Sequence, residues 1–146
     1  MKVSTKGRYG LRALVDVAAN SQGNPVSLVQ TANRQNISLN YLEQVFGVLR
    51  KAGIVVSVKG AGGGYMLARS ADSITVKEIL EALEGEFSII DRGTVKEQDA
   101  VQKAIRELVW DEIDEKVNTL LARRTLAQLV KEYKENLDYS SNMYYI

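Results

Sequence analysis

The sequence predicts a mainly α-helical fold with a small β-hairpin wing. A winged helix-turn-helix domain over residues 1–85 would precede a long dimerisation helix, a short terminal helix and a tail over residues 86–146. Three observations predict this fold. A short helical pattern, a turn and a longer helical pattern follow one another over residues 27–52. A glycine-rich segment separates two strand-like runs, and an amphipathic helical pattern fills residues 97–123.

Helix starts are marked by Ser/Thr-x-x-Glu/Gln patterns, in which two side chains cap backbone amides reciprocally. Such patterns begin at Ser27, Thr75 and Thr125. The first helix is expected from Ser4 to Asn20, because Gly23-Asn24-Pro25 then interrupts the chain. The pattern at Thr75 predicts a helix that reaches Gly85, and the pattern at Thr125 predicts one that reaches Glu135.

The second and third helices form the predicted helix-turn-helix unit, over Ser27–Gln35 and Ser38–Ala52, with Gly53 as the final stop. Apolar residues of the third helix recur at three- and four-residue steps and should face the core: Leu39, Leu42, Phe46 and Leu49. The opposite side is mainly polar: Asn40, Tyr41, Gln44, Val48 and Lys51. Amide, phenol and ammonium groups suit base edges and phosphates, so a helix that lies in a DNA groove is favoured over an ordinary solvated face.

The segment from Lys59 to Tyr65 lies between predicted strands over Ile54–Val58 and Tyr65–Ala68. A dinucleotide-binding loop would need glycine at position 65 and a helix after it, and a phosphate-binding loop would end in Gly-Lys-Ser/Thr. A flexible linker would separate two strands that need each other. The segment is therefore predicted to be the turn of a hairpin, set beside the third helix as the wing of a winged helix.

Composition narrows the function further. The 146 residues contain neither cysteine nor histidine, so an enzyme is disfavoured, and no metal or cofactor is predicted. No apolar run approaches the roughly 18 residues that cross a bilayer, and the start lacks a signal-peptide block, so a cytoplasmic protein is expected. Residues 1–70 hold nine Lys/Arg against two Asp/Glu, a net charge of +7, while the remainder holds ten against sixteen, or −6. The first part is therefore expected to meet a polyanion.

Three separated motifs resemble, in order and spacing, the Rrf-type winged-helix regulators. They are Ser4-Thr5-Lys6-Gly7-Arg8-Tyr9-Gly10, Ile37-Ser38-Leu39-Asn40-Tyr41-Leu42-Glu43-Gln44 and Lys59-Gly60-Ala61-Gly62-Gly63-Gly64-Tyr65. The resemblance implies a homodimer that binds a partly palindromic double-stranded DNA operator, with third helices in major grooves and wings at minor grooves. It implies DNA contacts by Ser38, Asn40, Tyr41, Glu43, Gln44, Lys59 and Gly60, and phosphate clamps at Lys6, Arg8 and Tyr9.

Two features qualify what the resemblance implies. A carboxylate repels phosphate, so Glu43 is interpreted as an acceptor for a cytosine amino group, with an intrahelical ion pair as the alternative. Cluster-binding members carry three cysteines between the fourth and the long fifth helix, and Ser88 to Ala100 has none. Iron–sulfur or nitric-oxide sensing through such a cluster is therefore not expected.

The acidic part predicts a dimer. At 100° per residue, the apolar side chains of residues 97–123 spread over roughly 220°, more than one packing partner covers. We expect this helix to pack on its copy in a second subunit, through Val101, Ile105, Leu108, Trp110, Val117 and Leu121. The alternative is that the terminal helix covers the extra surface within one subunit.

The final residues Tyr144, Tyr145 and Ile146 are unusually apolar for a chain end. The tail is similar to that of CymR-type regulators, and this resemblance implies that cysteine synthase, which accepts C-terminal Ile peptides, is a partner. Packing on the dimer helix is the alternative. Together these observations predict a repressor of cysteine or sulfur metabolism genes. A regulator of another stress or iron–sulfur pathway, and an interaction protein that acts through Ile146, remain the competing hypotheses.

Overall fold

The computed structural model of the protein describes residues 2–90 and 99–143. Its helices are α1 (Thr5–Asn20), α2 (Leu28–Gln35), α3 (Leu39–Lys51), α4 (Val76–Glu84), α5 (Ala100–Ile105), α6 (Asp111–Arg123) and α7 (Leu126–Met143). Strands β1 (Val55–Val58) and β2 (Gly64–Leu67) form one antiparallel hairpin, and a 3₁₀ turn spans Ala71–Ser73. The predicted mainly α fold with a hairpin wing is confirmed. Over the described residues, no helix combines the length and apolar character that a membrane span requires.

Side-chain caps begin the helices at the predicted places. The Ser4 hydroxyl accepts from the Gly7 amide at the start of α1. Both halves of the capping box form at Thr75 with Glu78 and at Thr125 with Gln128. At Ser27 the hydroxyl accepts from the amide of Val29, so this cap differs from the predicted pairing with Gln30.

The turn between α2 and α3 is short because Asn36 adopts a left-handed conformation at φ 54°. Asparagine tolerates this conformation better than most residues. The Ile37 amide donates to the Ala32 carbonyl across the turn at 3.1 Å, and the hydroxyl of the next residue, Ser38, caps α3. The chain therefore passes from α2 into α3 within three residues, as the helix-turn-helix pattern predicts.

The core lies under α3, between α1, α4 and the hairpin. Leu42, Phe46 and Leu49 are fully buried as predicted, whereas Leu39 is only half-buried at the edge. Val45 joins them, because it lies on the same side of the helix. Over the described residues, the other fully buried apolar side chains come from five further segments: Ala13, Leu14, Val17, Val55, Ile74, Ile79 and Leu126.

The hairpin is anchored to the rest of the domain at Tyr65. Its amide and carbonyl exchange two 2.9 Å hydrogen bonds with Val26, and its ring packs against Phe46 at a centroid distance of 5.1 Å. Gly64 has a φ of 153°, and a Cβ there would lie 2.2 Å from the Val26 carbonyl oxygen. Only glycine allows this close approach, so the hairpin position depends on Gly64.

The long helix over residues 100–123 differs from the regular helix that the sequence predicts. Between α5 and α6, a π-helical turn covers Arg106–Trp110, and the Asp111 amide donates to the Arg106 carbonyl five residues back. The extra residue in this turn rotates the apolar positions that follow by about 100°. The predicted spread of roughly 220° assumed uniform winding, so it overstated the angle that needs covering.

Helix α7 also differs from its prediction, since it covers Leu126–Met143 and so continues past the predicted end near Glu135. No glycine or proline follows Leu126, so nothing in the sequence stops the helix. The start of α7 is tied to the start of α4, because the Leu126 amide donates to the Ile74 carbonyl and the Val76 amide donates to the Arg124 carbonyl, both at 2.9 Å. The helix then packs along α1.

Candidate nucleic-acid interface

Helix α3 presents a polar outer surface, as the sequence predicts. Asn40, Glu43 and Gln44 are exposed, and over the described residues none of them is held by an ion pair. The Ser38 hydroxyl accepts from the Tyr41 amide at 3.3 Å, which leaves its O–H group as a donor. This surface of α3 therefore combines amide, carboxylate and hydroxyl groups, which are the kinds of group that read base edges in a major groove.

Tyr41 is half-buried and connects α3 to α1. Its ring meets the Tyr9 ring edge-to-face at a centroid distance of 6.2 Å. The guanidinium carbon of Arg8 lies 5.8 Å from the centroid of the Tyr9 ring. Lys6 is exposed on the same first two turns of α1. Arg8 thus contacts Tyr9, and Tyr9 contacts Tyr41. These contacts place cations of α1 beside the polar surface of α3.

A buried carboxylate holds α1 against α2. Asp16 is 1% exposed and accepts from Arg34 through Nε (3.0 Å to Oδ2) and Nη2 (2.8 Å to Oδ1). It also accepts from the Thr31 hydroxyl at 2.9 Å and from Gln35 Nε2 at 2.9 Å. Burial alone would raise the pKa of Asp16, but the bonds from Arg34, Gln35 and Thr31 outweigh burial and leave the pKa below its ordinary value. The carboxylate is charged and fully bonded at neutral pH.

The two predicted contact residues of the wing are neighbours at the point where the chain leaves β1 and enters the turn. Lys59 directly follows β1 and is exposed, and Gly60 has a φ of 105° that suits glycine. The Gly63 amide donates to the Gly60 carbonyl at 3.0 Å and closes the turn. Because Tyr65 is packed on Phe46 of α3, the hairpin is held against α3.

Comparison with known proteins identifies the family. Residues 3–132 match the Rrf2 family, described as "Iron-dependent Transcriptional regulator". The chain belongs to the Rrf2 family. It is 39% identical over 147 residues to the "HTH-type transcriptional regulator IscR" of Klebsiella pneumoniae (strain 342), covering 99% of this chain and 88% of that protein. These relatives are transcriptional regulators rather than enzymes, and the resemblance predicted from the three motifs is confirmed.

Solved structures agree with the family. The CymR structure of B. subtilis, described as the global cysteine regulator, has a TM-score of 0.79 at 38% identity and covers 90% of this chain and 98% of that chain. The structure of T. potens IscR has a TM-score of 0.75 at 42% identity and covers 93% and 90% of the two chains. The Rrf2-family chain is therefore a DNA-binding transcriptional regulator with a winged-helix fold.

The six predicted dimerisation residues of this Rrf2 protein differ in their exposure within one subunit. Val101 and Leu108 are 68% and 74% exposed, and Ile105 lies on the same exposed stretch. Val117 and Leu121 instead line a cavity of about 540 Å³ between α6, the end of α4 and the start of α1. Trp110, in the π-helical turn, is half-buried. Dimerisation through these six residues stays a prediction.

Other expectations concern the tail and metal binding. Tyr144, Tyr145 and Ile146 lie outside the described residues. Over residues 2–90 and 99–143, no group of three Asp or Glu side chains is placed to hold a metal ion. The Rrf2 protein has no cysteine anywhere in its sequence, so thiolate ligation of a cluster by this chain is chemically excluded.

Sequence reasoning missed the buried network around Asp16. It treated this residue only as one of two acids in a basic region. A signal was present, because Asp16 lies between Val15 and Val17 on a helix whose neighbouring positions Ala13 and Leu14 are buried. An acid in such surroundings needs a donor partner. Its partners, however, lie on α2, so they could not be identified from α1 alone.

Proposed function

We propose that this Rrf2-family regulator binds a two-fold related operator as a homodimer, with α3 of each subunit in a major groove and the wing beside it. The single observation that carries the proposal is the outer surface of α3. It is polar, exposed and fixed in place by the contact of Tyr41 with Tyr9. A recognition helix needs this combination of free base-reading groups and a rigid mounting.

We assign base reading to α3 and backbone contacts to α1 and the wing. Asn40 and Gln44 carry amide groups that can pair with adenine edges, and Glu43 can accept from a cytosine amino group. Since Glu43 forms no ion pair among the described residues, its carboxylate is free for this role. Lys6, Arg8 and Lys59 supply positive charge next to this surface and suit phosphates.

The exposed apolar residues of the long helix support the dimer. Val101, Leu108 and Leu120 are exposed, and α7 packs on α1 instead of covering them. A two-fold interface would bury this surface against its own copy. Such a dimer also supplies the second α3 that a palindromic operator requires.

Two substitutions test the assignment directly. Gln44→Ala removes an amide that reads a base, so we expect discrimination between the operator and an unrelated duplex to fall by about 1–3 kcal/mol. Lys6→Ala removes a phosphate contact, so affinity for both duplexes should fall by the same factor and the salt dependence should flatten. Titrations with both duplexes at several salt concentrations measure these effects. Equal behaviour of the two variants would contradict the division of roles.

We further propose that the regulated genes serve cysteine or sulfur metabolism and that the protein acts on them as a repressor. The similarity to CymR, at a TM-score of 0.79, supports this target class. The absence of cysteine also argues that the signal does not arrive through a thiolate-held cluster. A regulator of iron–sulfur genes is the second candidate, because IscR relatives are equally similar in sequence. Sequencing of DNA bound in cells distinguishes the two gene sets.

For the signal, we propose that the segment Tyr144–Ile146 binds a cysteine synthase. Two aromatic residues and an isoleucine suit an apolar pocket, and the described end of α7 is exposed up to residue 142. Deletion of Tyr145 and Ile146 should abolish binding to the enzyme and leave operator affinity unchanged. Calorimetry with purified enzyme measures the first effect. Retained binding by the deletion variant would refute this partner assignment.

A further inference from the structure

Arg12 lies one helical turn after Arg8 on α1, and its side chain is held in one orientation. Its Nε donates to the Gln35 Oε1 atom at 2.8 Å. The Gln35 Nε2 atom donates in turn to the buried carboxylate of Asp16 at 2.9 Å. Because the carboxylate only accepts and the guanidinium only donates, the Gln35 amide has one satisfactory orientation between them. The buried acid therefore fixes the position of an exposed cation.

The remaining donors of Arg12 are directed at nothing within the described protein. The residue is exposed, and over residues 2–90 and 99–143 neither of its Nη atoms has a hydrogen-bond or ion-pair partner. Arginine held at Nε retains a planar pair of Nη groups that matches two phosphate oxygens. Its orientation is set in advance, so less side-chain freedom is lost when it binds an anion.

The position of Arg12 places these donors beside the polar outer surface of α3. Gln35 is the last residue of α2, and Ser38, three residues later, caps α3. Three residues span at most about 11 Å, whereas the major groove is about 12 Å wide between its bordering strands. When the Ser38 end of α3 enters the groove, a guanidinium bound to Gln35 lies within reach of a bordering phosphate.

We infer that Arg12 is a further DNA-backbone contact, positioned by Gln35 and Asp16, and that it extends the cationic row that begins at Arg8. This inference rests on the proposed binding of DNA through α3. The ligand is a phosphodiester of the strand next to the groove, so the contact adds affinity without sequence preference. Gln35 is a positioning residue because it acts through Arg12.

The test compares the full chain with Arg12→Ala, Arg12→Lys and the matched control Arg123→Ala. Arg123 is an exposed arginine at the end of α6, so its removal changes net charge equally without touching the helix-turn-helix. Affinity for the selected operator and for an unrelated duplex is measured over a range of salt concentrations, and thermal melts verify folding. We expect Arg12→Ala to weaken both duplexes by the same factor and to reduce the salt slope by about 0.9 per bound protomer. Arg12→Lys should restore the slope.

A variant of the positioning residue completes the experiment. Gln35→Ala keeps the charge of Arg12 but releases its side chain, so affinity should fall about two- to ten-fold while the salt slope stays that of the wild type. If the Arg12→Ala and Arg123→Ala proteins show the same dependence of DNA affinity on salt concentration, the inference is overturned. If the wild-type protein itself shows no preference for any duplex, the proposed function fails instead, and the two failures are thereby distinguished.

Discussion

Replacing Asp16 by asparagine should destabilise the protein strongly, although the two side chains have nearly the same shape. All the groups bonded to the carboxylate are donors: the Arg34 guanidinium, the Gln35 amide nitrogen and the Thr31 hydroxyl. Asparagine places its own NH₂ group against some of them and removes the charge that balances Arg34. The substitution therefore exchanges charge-assisted bonds for an unsatisfied buried group.

The size of this destabilisation follows from how deeply Asp16 and Arg34 are buried. Removing one member of a buried ion pair costs about 3–5 kcal/mol. The Asp16 side chain is fully buried, but that of Arg34 remains 35% exposed and can return to water. The cost should therefore lie below that range, at about 2–3 kcal/mol of unfolding free energy. Asp138→Asn, an exposed change of the same chemistry on α7, should alter stability by less than about 0.5 kcal/mol.

The effect should also depend on pH with a defined sign. The pKa of Asp16 is lowered in the folded state, so its contribution is complete above the ordinary value near 3.8 and is lost as pH falls through the folded value. Asp16→Asn lacks this titrating group. The difference in unfolding free energy between wild type and variant should accordingly be constant near neutral pH and shrink as the solution becomes acidic below about pH 5.

Urea unfolding followed by circular dichroism measures both effects, with protomer concentration held constant because association shifts apparent stability. An Asp16→Asn protein within 0.5 kcal/mol of the wild type at pH 7 would refute the role assigned to the network. A difference that grows on acidification would refute the sign of the pKa argument.

Three further predictions concern the wing, the long helix and the base-reading surface. Gly64→Ala should lower the free energy of unfolding by more than about 2 kcal/mol, because the new Cβ meets the Val26 carbonyl. At Gly62 a Cβ would have nothing within 4 Å, so the Gly62→Ala protein should melt close to the wild-type temperature. Leu108→Glu should shift the protein from dimer to monomer in sedimentation, since each buried leucine contributes about 1.5–3 kcal/mol, while Leu137→Glu on α7 should leave association unchanged. Glu43→Gln removes a carboxylate that repels phosphate, so affinity for unrelated duplexes should rise and discrimination should fall; an unchanged ratio of affinities would argue against base reading by Glu43.

Local signals in the sequence account for most of the fold. Capping hydroxyls at Ser4, Thr75 and Thr125 mark helix starts, and each acts on the amide three residues away. The wing is equally local, because the glycines that shape the turn lie between the strands that they join. Structure that depends on neighbours within about four residues is readable from one sequence.

The rest depends on contacts between distant residues or on small changes in winding. Asp16 meets Thr31, Arg34 and Gln35 only because α1 and α2 pack together. The π-helical turn adds one residue to a helix whose sequence has no breaker, so a uniform period gave the wrong angular positions for the apolar residues that follow it. Such details arise from tertiary packing, which a period or a motif does not specify.

Selection from a pool of random duplexes with the purified protein tests the central account most directly. The predicted result is enrichment of a partly palindromic site, with half-sites spaced by about one turn of DNA, or a multiple of it, to match two copies of α3. Enrichment should disappear with Gln44→Ala combined with Asn40→Ala, while general DNA binding persists. Recovery of unselected sequences by the wild-type protein, or of a single half-site without symmetry, would contradict a dimer that reads DNA through α3.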